Sequence, residues 1–211
     1  MKVMVNTGDP YVKYLPKNLE HYLESVFKVA GDGNCGYRAI AKGISDSSTK
    51  PNAYDGEKGW CQVRKDLIKE LDDHYDVYNE MHAGDASKIR TRLNLGDDLD
   101  GMVGTGKWYS KLDMGQLTAN AYHRPICFIQ KTTCLTYLPL WSGPQDPRSC
   151  TDPIYLCFVR GNHWDLLRIK SKDDVKPIPC VGRTRHAHKE SEGWKELVAP
   201  GIKLFDSLPN L

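Results

Sequence analysis

The chain predicts an α+β domain in which a mainly antiparallel sheet is flanked by helices. Three observations carry this. Apolar positions recur at helical spacing between residues 35 and 122, the texture turns to short β-rich segments after Pro125, and those segments follow one another without crossover helices. A chain of 211 residues fits one domain plus an extension. We place the domain at residues 1–171, with its core at about 25–171, and the extension at 172–211.

The elements follow in order. "SVFKVA" offers an early strand, and Tyr37, Ile40, Ala41 and Ile44 predict a helix from about Cys35 to Ser45. After the polar stretch "SDSSTKPNAYDGEKG", a second helix is expected over "WCQVRKDLIKELDDHY", with Val63, Leu67, Ile68 and Leu71 on one face. Shorter helices are expected over "YNEMHAG" and "ASKIRTRLNL". "GDDLDGMVGTGKW", with four glycines and three aspartates in thirteen residues, reads as a mobile loop, and a helix over "LDMGQLTANAY" follows. "RPICFIQ", "CLTYLPLW", "PIYLCFVR" and "HWDLLRIK" are the strands. From Ser171 the chain is polar and broken by Pro177, Pro179 and Pro200. It predicts an extension that drapes over the domain or stays loose, with one short helix near "SEGWKELV".

Hydrophobic content of 40% and charged content of 27% describe a soluble globular protein. A net charge of +2 predicts no strong attraction to nucleic acid or to an anionic membrane. No apolar run nears the ~20 residues of a membrane helix. "MKVMVNTGDPYVKY" lacks a signal-peptide core, so an intracellular, cytoplasmic setting is the expectation. Seven cysteines, an odd number without a C-x-x-C pair, argue against a disulfide framework or a zinc ribbon. Cys180, His186 and His188 are too sparse a set to favour a metal, and neither metal nor cofactor is expected. Cys127 and Cys157 sit in apolar runs and should pack as small hydrophobes. Cys35, among glycines and polar residues, stands apart.

Around it, "VAGDGNCGYRAIAKGI" satisfies G-x-G-x-x-G through Gly31, Gly33 and Gly36. A dinucleotide-binding turn would need a second buried parallel strand after the helix, and Asp55 is placed for the acidic partner. The segment that follows is instead hydrophilic and contains proline. A calcium loop fails because the later oxygen ligands and terminal glutamate are missing. A thiol at a helix N-terminus, in contrast, gains from unpaired backbone N–H groups and the macrodipole, which favour the thiolate. The turn ahead of it can aim N–H groups at a developing oxyanion, often worth ~3 kcal/mol per donor. Taken alone, Cys35 equally fits a buried cysteine that merely starts a helix.

A thiolate enzyme needs a base and an orienter. His21, His74, His82 and His123 fall among charged residues in or near helices and should be solvated; His186 and His188 lie in the extension. His163 follows the turn "RGN" and opens a strand, at the lip of the sheet. Alternation puts His163 and Asp165 on one face and Trp164 and Leu166 on the other, so Asp165 can fix the imidazole tautomer. The plain alternative is an edge-strand pair that meets only water. The coincidence of this pair with a helix-starting cysteine about 130 residues earlier favours catalysis.

"GDGNC" opening a helix, with Arg38 three residues on, and "NHWDLL" opening a late strand resemble the ovarian tumour (OTU) family of cysteine deubiquitinases. "WYSKLDMGQLTANAYHRPICFI", with Asp113 and Leu117, resembles that family's Trp-led helix-and-strand segment, so the likeness spans residues 31 to about 170. Gly36 stands where a bulky apolar residue is common. The resemblance implies a papain-like OTU domain with Cys35 as nucleophile, His163 as general base and Asp165 as orienter. It also implies an oxyanion loop of Asp32, Gly33 and Asn34, with Asp32 holding its shape. Trp164 matches the aromatic residue after the family's histidine and should be structural. Trp164 and Asn162 are also candidate substrate contacts, as are Asp97, Asp98 and Asp100, which would receive a basic tail.

The implied reaction is hydrolysis after the C-terminal glycine of ubiquitin or a ubiquitin-like modifier, by a monomer without metal or organic cofactor. A precursor-processing protease with the same triad and a catalytically silent ubiquitin-binding module are the competing readings.

Overall fold

Lys2–Met4 (β1) and Leu23–Phe27 (β2) come first in the chain, followed by the helices Cys35–Ser45 (α1), Gly59–Asp73 (α2), Tyr75–Met81 (α3), Ala86–Leu93 (α4) and Lys111–Ala121 (α5). The remaining strands are Ile126–Ile129 (β3), Leu135–Tyr137 (β4), Ile154–Val159 (β5) and His163–Ile169 (β6), and Gly193–Ser207 forms α6. The computed structural model describes residues 2–4, 10–48, 52–96, 102–182 and 185–207. The fold is α+β. One sheet runs β1-β2-β6-β5-β3-β4, and every neighbouring pair is antiparallel except β3 with β5.

Strand β6 sits between β2 and β5, so its backbone is paired along both edges while its side chains meet a core on each face of the sheet. Alternation divides them. Trp164 and Leu166 join Ile154 and Leu156 in a core beneath α1, α2 and α5, where Ile40, Leu67 and Leu117 are wholly buried. Leu167 and Ile169 join Tyr155, Cys157 and Val159 in a second core on the opposite face. With both faces covered, strands read as nearly continuous apolar runs rather than as an alternation. Cys127 and Cys157 are fully buried there, and burial pushes the Cys127 thiol up to about 12.

The second core is closed by the two ends of the chain. Tyr11, Leu15 and Leu19 cover it from the N-terminal segment, while Ile178, Trp194 and Val198 cover it from residues beyond Ser171. Those later residues also extend the sheet, since Thr136 N–H donates to the Cys180 carbonyl (2.9 Å) and Gly182 N–H to that of Thr136 (2.8 Å). The short helix expected near "SEGWKELV" runs instead through Pro200 to Ser207. Burial of Trp194, Val198 and Gly201 along one face outweighs the backbone bond that the proline forgoes. Strand β1 is too short to leave a pattern in the sequence. Among the described residues, no helix is long and apolar enough to cross a membrane.

Candidate active site

Helix α1 begins at Cys35, where the buried face of Ala39 and Ile40 anchors it on the sheet. The turn before it is held by charge. Asp32 Oδ1 accepts from Asn34 N–H (3.0 Å), and its Oδ2 accepts from Arg38 Nη2 (2.7 Å) and Nε (3.1 Å). Burial would raise the Asp32 carboxyl, but the Arg38 and Asn34 bonds outweigh it and hold the group below its ordinary value. Gly33 adopts φ +87°, and a Cβ there would lie 2.5 Å from the Val103 carbonyl oxygen. The described part of the loop expected to be mobile is tied to this turn, with Val103 N–H donating to the Asp32 carbonyl (3.0 Å). Trp108 Nε1 donates to the Val103 carbonyl (3.0 Å).

Asn34 is the residue before α1, yet its side chain does not cap the helix. Its Oδ1 accepts from Arg64 Nη2 (2.7 Å) and Nε (3.1 Å). Arg64 is 3% exposed, lies 3.7 Å from the Tyr37 ring centroid, and also donates to the Arg92, Leu93 and Lys107 carbonyls. One buried guanidinium therefore joins the turn, α2, the end of α4 and the approach to α5. Gly36 faces Tyr109, whose Cβ would stand 2.5 Å from a Cβ at position 36. The space that a bulky side chain would occupy is already filled by Tyr109.

Strand β6 brings the other groups to Cys35. The backbone N–H of Trp164 approaches the Cys35 sulfur at 3.5 Å, and the residue is 6% exposed. His163 opens the strand, and its Nε2 meets Asp165 Oδ1 at 3.2 Å. The Asp165 carboxylate, 1% exposed, accepts two further bonds, from Val29 N–H (3.0 Å) and from the Tyr11 hydroxyl (2.9 Å). Burial would raise its pKa, and the bonds from His163, Val29 and Tyr11 overcome that and lower it. The bond to Asp165, then the one to Cys35, outweigh burial and raise the His163 imidazole to about 9. The structure thus brings Cys35, His163 and Asp165 into one connected group.

A cleft of about 430 Å³ opens beside it, walled by Tyr11, Val29, Gly33, Trp108, Asn162 and His163. Asn162 is exposed at its edge. The Trp164 ring is instead in the core against Phe128 and Phe158, so its contact with the site is through the backbone and not the substrate contact expected of it. Asp97, Asp98 and Asp100 lie outside the described residues. Among the described residues, no group of three or more His, Cys, Asp or Glu side chains is arranged to hold a metal.

Three of the histidines expected to be solvated are not. His123 is half-buried against Ser142 Oγ (2.8 Å), His74 stacks on Trp141 with centroids 4.8 Å apart, and the His82 Nε2 is enclosed. Tyr11 and Arg64 were not among the expected site residues. Arg64 left a trace: it shares the apolar face of Trp60, Leu67 and Leu71 at helical spacing. Tyr11 left none.

No family model matches the sequence, and no curated protein matches it. Among solved structures, a chain of the h/ceOTUB1–ubiquitin aldehyde–UBC13~Ub complex is similar at 16% identity and a TM-score of 0.36, covering 74% of this chain and 80% of that one.

Proposed function

We propose that the protein is a cysteine hydrolase that cleaves the amide or isopeptide bond after the C-terminal glycine of ubiquitin or a ubiquitin-like modifier. One observation carries the chemistry: at a helix N-terminus the Cys35 sulfur meets the backbone of β6 at Trp164, next to an imidazole that is hydrogen-bonded to a buried carboxylate. The sequence motifs around Cys35 and His163, which resemble those of the OTU family, support the choice of substrate.

Asp165 engages Nε2 of His163, which leaves Nδ1 for the thiol. The Cys35 thiolate adds to the glycine carbonyl carbon, and the oxygen takes up the negative charge. The N–H of Asn34 is committed to Asp32, so the N–H groups of Gly33 and Cys35 are the donors left for that oxygen. The imidazolium passes its proton to the leaving amine nitrogen as the C–N bond breaks. Water then attacks the thioester, gives its proton to His163, and releases the carboxylate and the free cysteine.

The test is release of a fluorophore from a ubiquitin C-terminal conjugate, together with labelling by a ubiquitin probe that ends in a thiol-reactive group. Turnover and labelling that both vanish in Cys35→Ala are expected. Binding of ubiquitin without either would overturn the enzymatic reading, and cleavage of a precursor junction alone would overturn the substrate.

A further inference from the structure

The N-terminal segment delivers a side chain that the reaction above does not use. Tyr11 is 3% exposed, and its hydroxyl donates to Asp165 Oδ2 at 2.9 Å across 154 residues of chain. The other oxygen, Oδ1, serves both His163 Nε2 (3.2 Å) and Val29 N–H (3.0 Å). The two carboxylate oxygens are therefore divided between the imidazole and the phenol. A buried oxygen deprived of its donor seeks another, and the carboxylate turns with it.

We propose that Tyr11 is a positioning residue for the Cys35–His163–Asp165 group, holding Asp165 Oδ2 so that Oδ1 stays on the imidazole. The proposal rests on the catalytic reading of that group, and Tyr11 acts through Asp165. The charged and titratable groups around it are consistent. Lys28 Nζ lies 5.1 Å from the Tyr11 ring centroid, and Arg160 lies near the hydroxyl. Cys157 stands opposite Asp165 on β5 with its thiol kept neutral by burial, and Cys35 interacts with His163. Burial and the bond to Asp165 raise the Tyr11 hydroxyl above its ordinary value, so it remains a donor across the neutral range.

Tyr11→Phe removes the hydroxyl and keeps the ring, which packs edge-on against Tyr14. The His163 ring is titrated by NMR on isotope-labelled histidine, with its signal identified by its loss in His163→Gln. Wild type, Tyr11→Phe, Asp165→Asn and the double variant are compared. In parallel, alkylation of Cys35 by iodoacetamide is followed by mass spectrometry of the Cys35 peptide, because the chain carries six other thiols. Tyr11→Phe should lower the proton affinity of His163 and the rate of Cys35 alkylation about tenfold each, and should add nothing to Asp165→Asn. A Tyr11→Phe protein that titrates like wild type overturns the proposal, as does a loss of equal size in both backgrounds. Neither measurement involves ubiquitin. An inert response to ubiquitin conjugates beside this pattern would remove the proposed substrate and leave the role of Tyr11 standing.

Discussion

Val29 and Asp165 are 136 residues apart in the chain, yet the N–H of one donates to the carboxylate of the other at 3.0 Å. This bond joins the segment entering the Asp32–Asn34 turn to the strand that carries His163. The position of the imidazole is thus coupled to the position of the turn before Cys35.

The proton on His163 is a stability contribution with a defined pH window. Its imidazole is raised from 6.5 to about 9 in the fold, so the contribution is complete below about 6.5 and lost as pH climbs through 9. The gap in urea stability between wild type and His163→Gln should therefore be widest near about pH 6 and narrow by about pH 10. A gap independent of pH over that range would contradict the pairing.

Arg64→Ala removes a buried cation and leaves Asn34 Oδ1 and the Leu93 carbonyl without that donor. Each buried acceptor left unpaired costs about 1–3 kcal/mol, so a loss of a few kcal/mol is expected in urea unfolding. Arg64→Lys should recover only part of it, because an ammonium can neither reach several acceptors in the same fork nor stack on Tyr37. Full recovery with lysine would show that charge alone matters.

Gly36→Ala sets two effects against each other. Alanine favours a helix by about 1 kcal/mol over glycine. Its Cβ, however, would lie 2.5 Å from Tyr109 Cβ and 2.7 Å from Cγ, and overpacking of that kind costs about 1–3 kcal/mol. The substitution should destabilise the protein and slow Cys35 alkylation, since the helix start shifts with it. A rise in melting temperature would show that Tyr109 moves aside freely.

Trp194→Ala tests the stretch beyond Ser171. The indole is fully buried in the second core and donates to the Ser142 carbonyl at 2.7 Å. Its truncation should cost about 3–5 kcal/mol. The rate of Cys35 alkylation measured well below the transition should stay at the wild-type value, because the indole lies across the sheet from the thiol. A matching loss of reactivity would mean that the α6 side of the second core shapes the site as well as its Tyr11 side.

Local pattern made much of this molecule readable. The apolar spacing of Tyr37, Ile40, Ala41 and Ile44 marks α1, and its start at Cys35 agrees with the structure. The run "PIYLCFVR" marks β5 as a buried strand. Alternation in "HWDLL" separates His163 and Asp165 from Trp164, and their registers opposite Val159 and Cys157 keep them on that side. Helical and strand periods are short-range properties, so a few consecutive residues are enough to express them.

The amino-acid sequence thus determined the α+β class, the helix that starts at Cys35 and the face shared by His163 and Asp165. Tertiary structure alone decided that Tyr11 closes on Asp165, that Arg64 pins Asn34, that Tyr109 fills the space beside Gly36, and that α6 continues through Pro200. Each of these joins groups far apart in the chain, where no repeat or spacing links them. Their partners are selected by the need to satisfy buried polar groups and fill volume, which arises only once the two cores have closed.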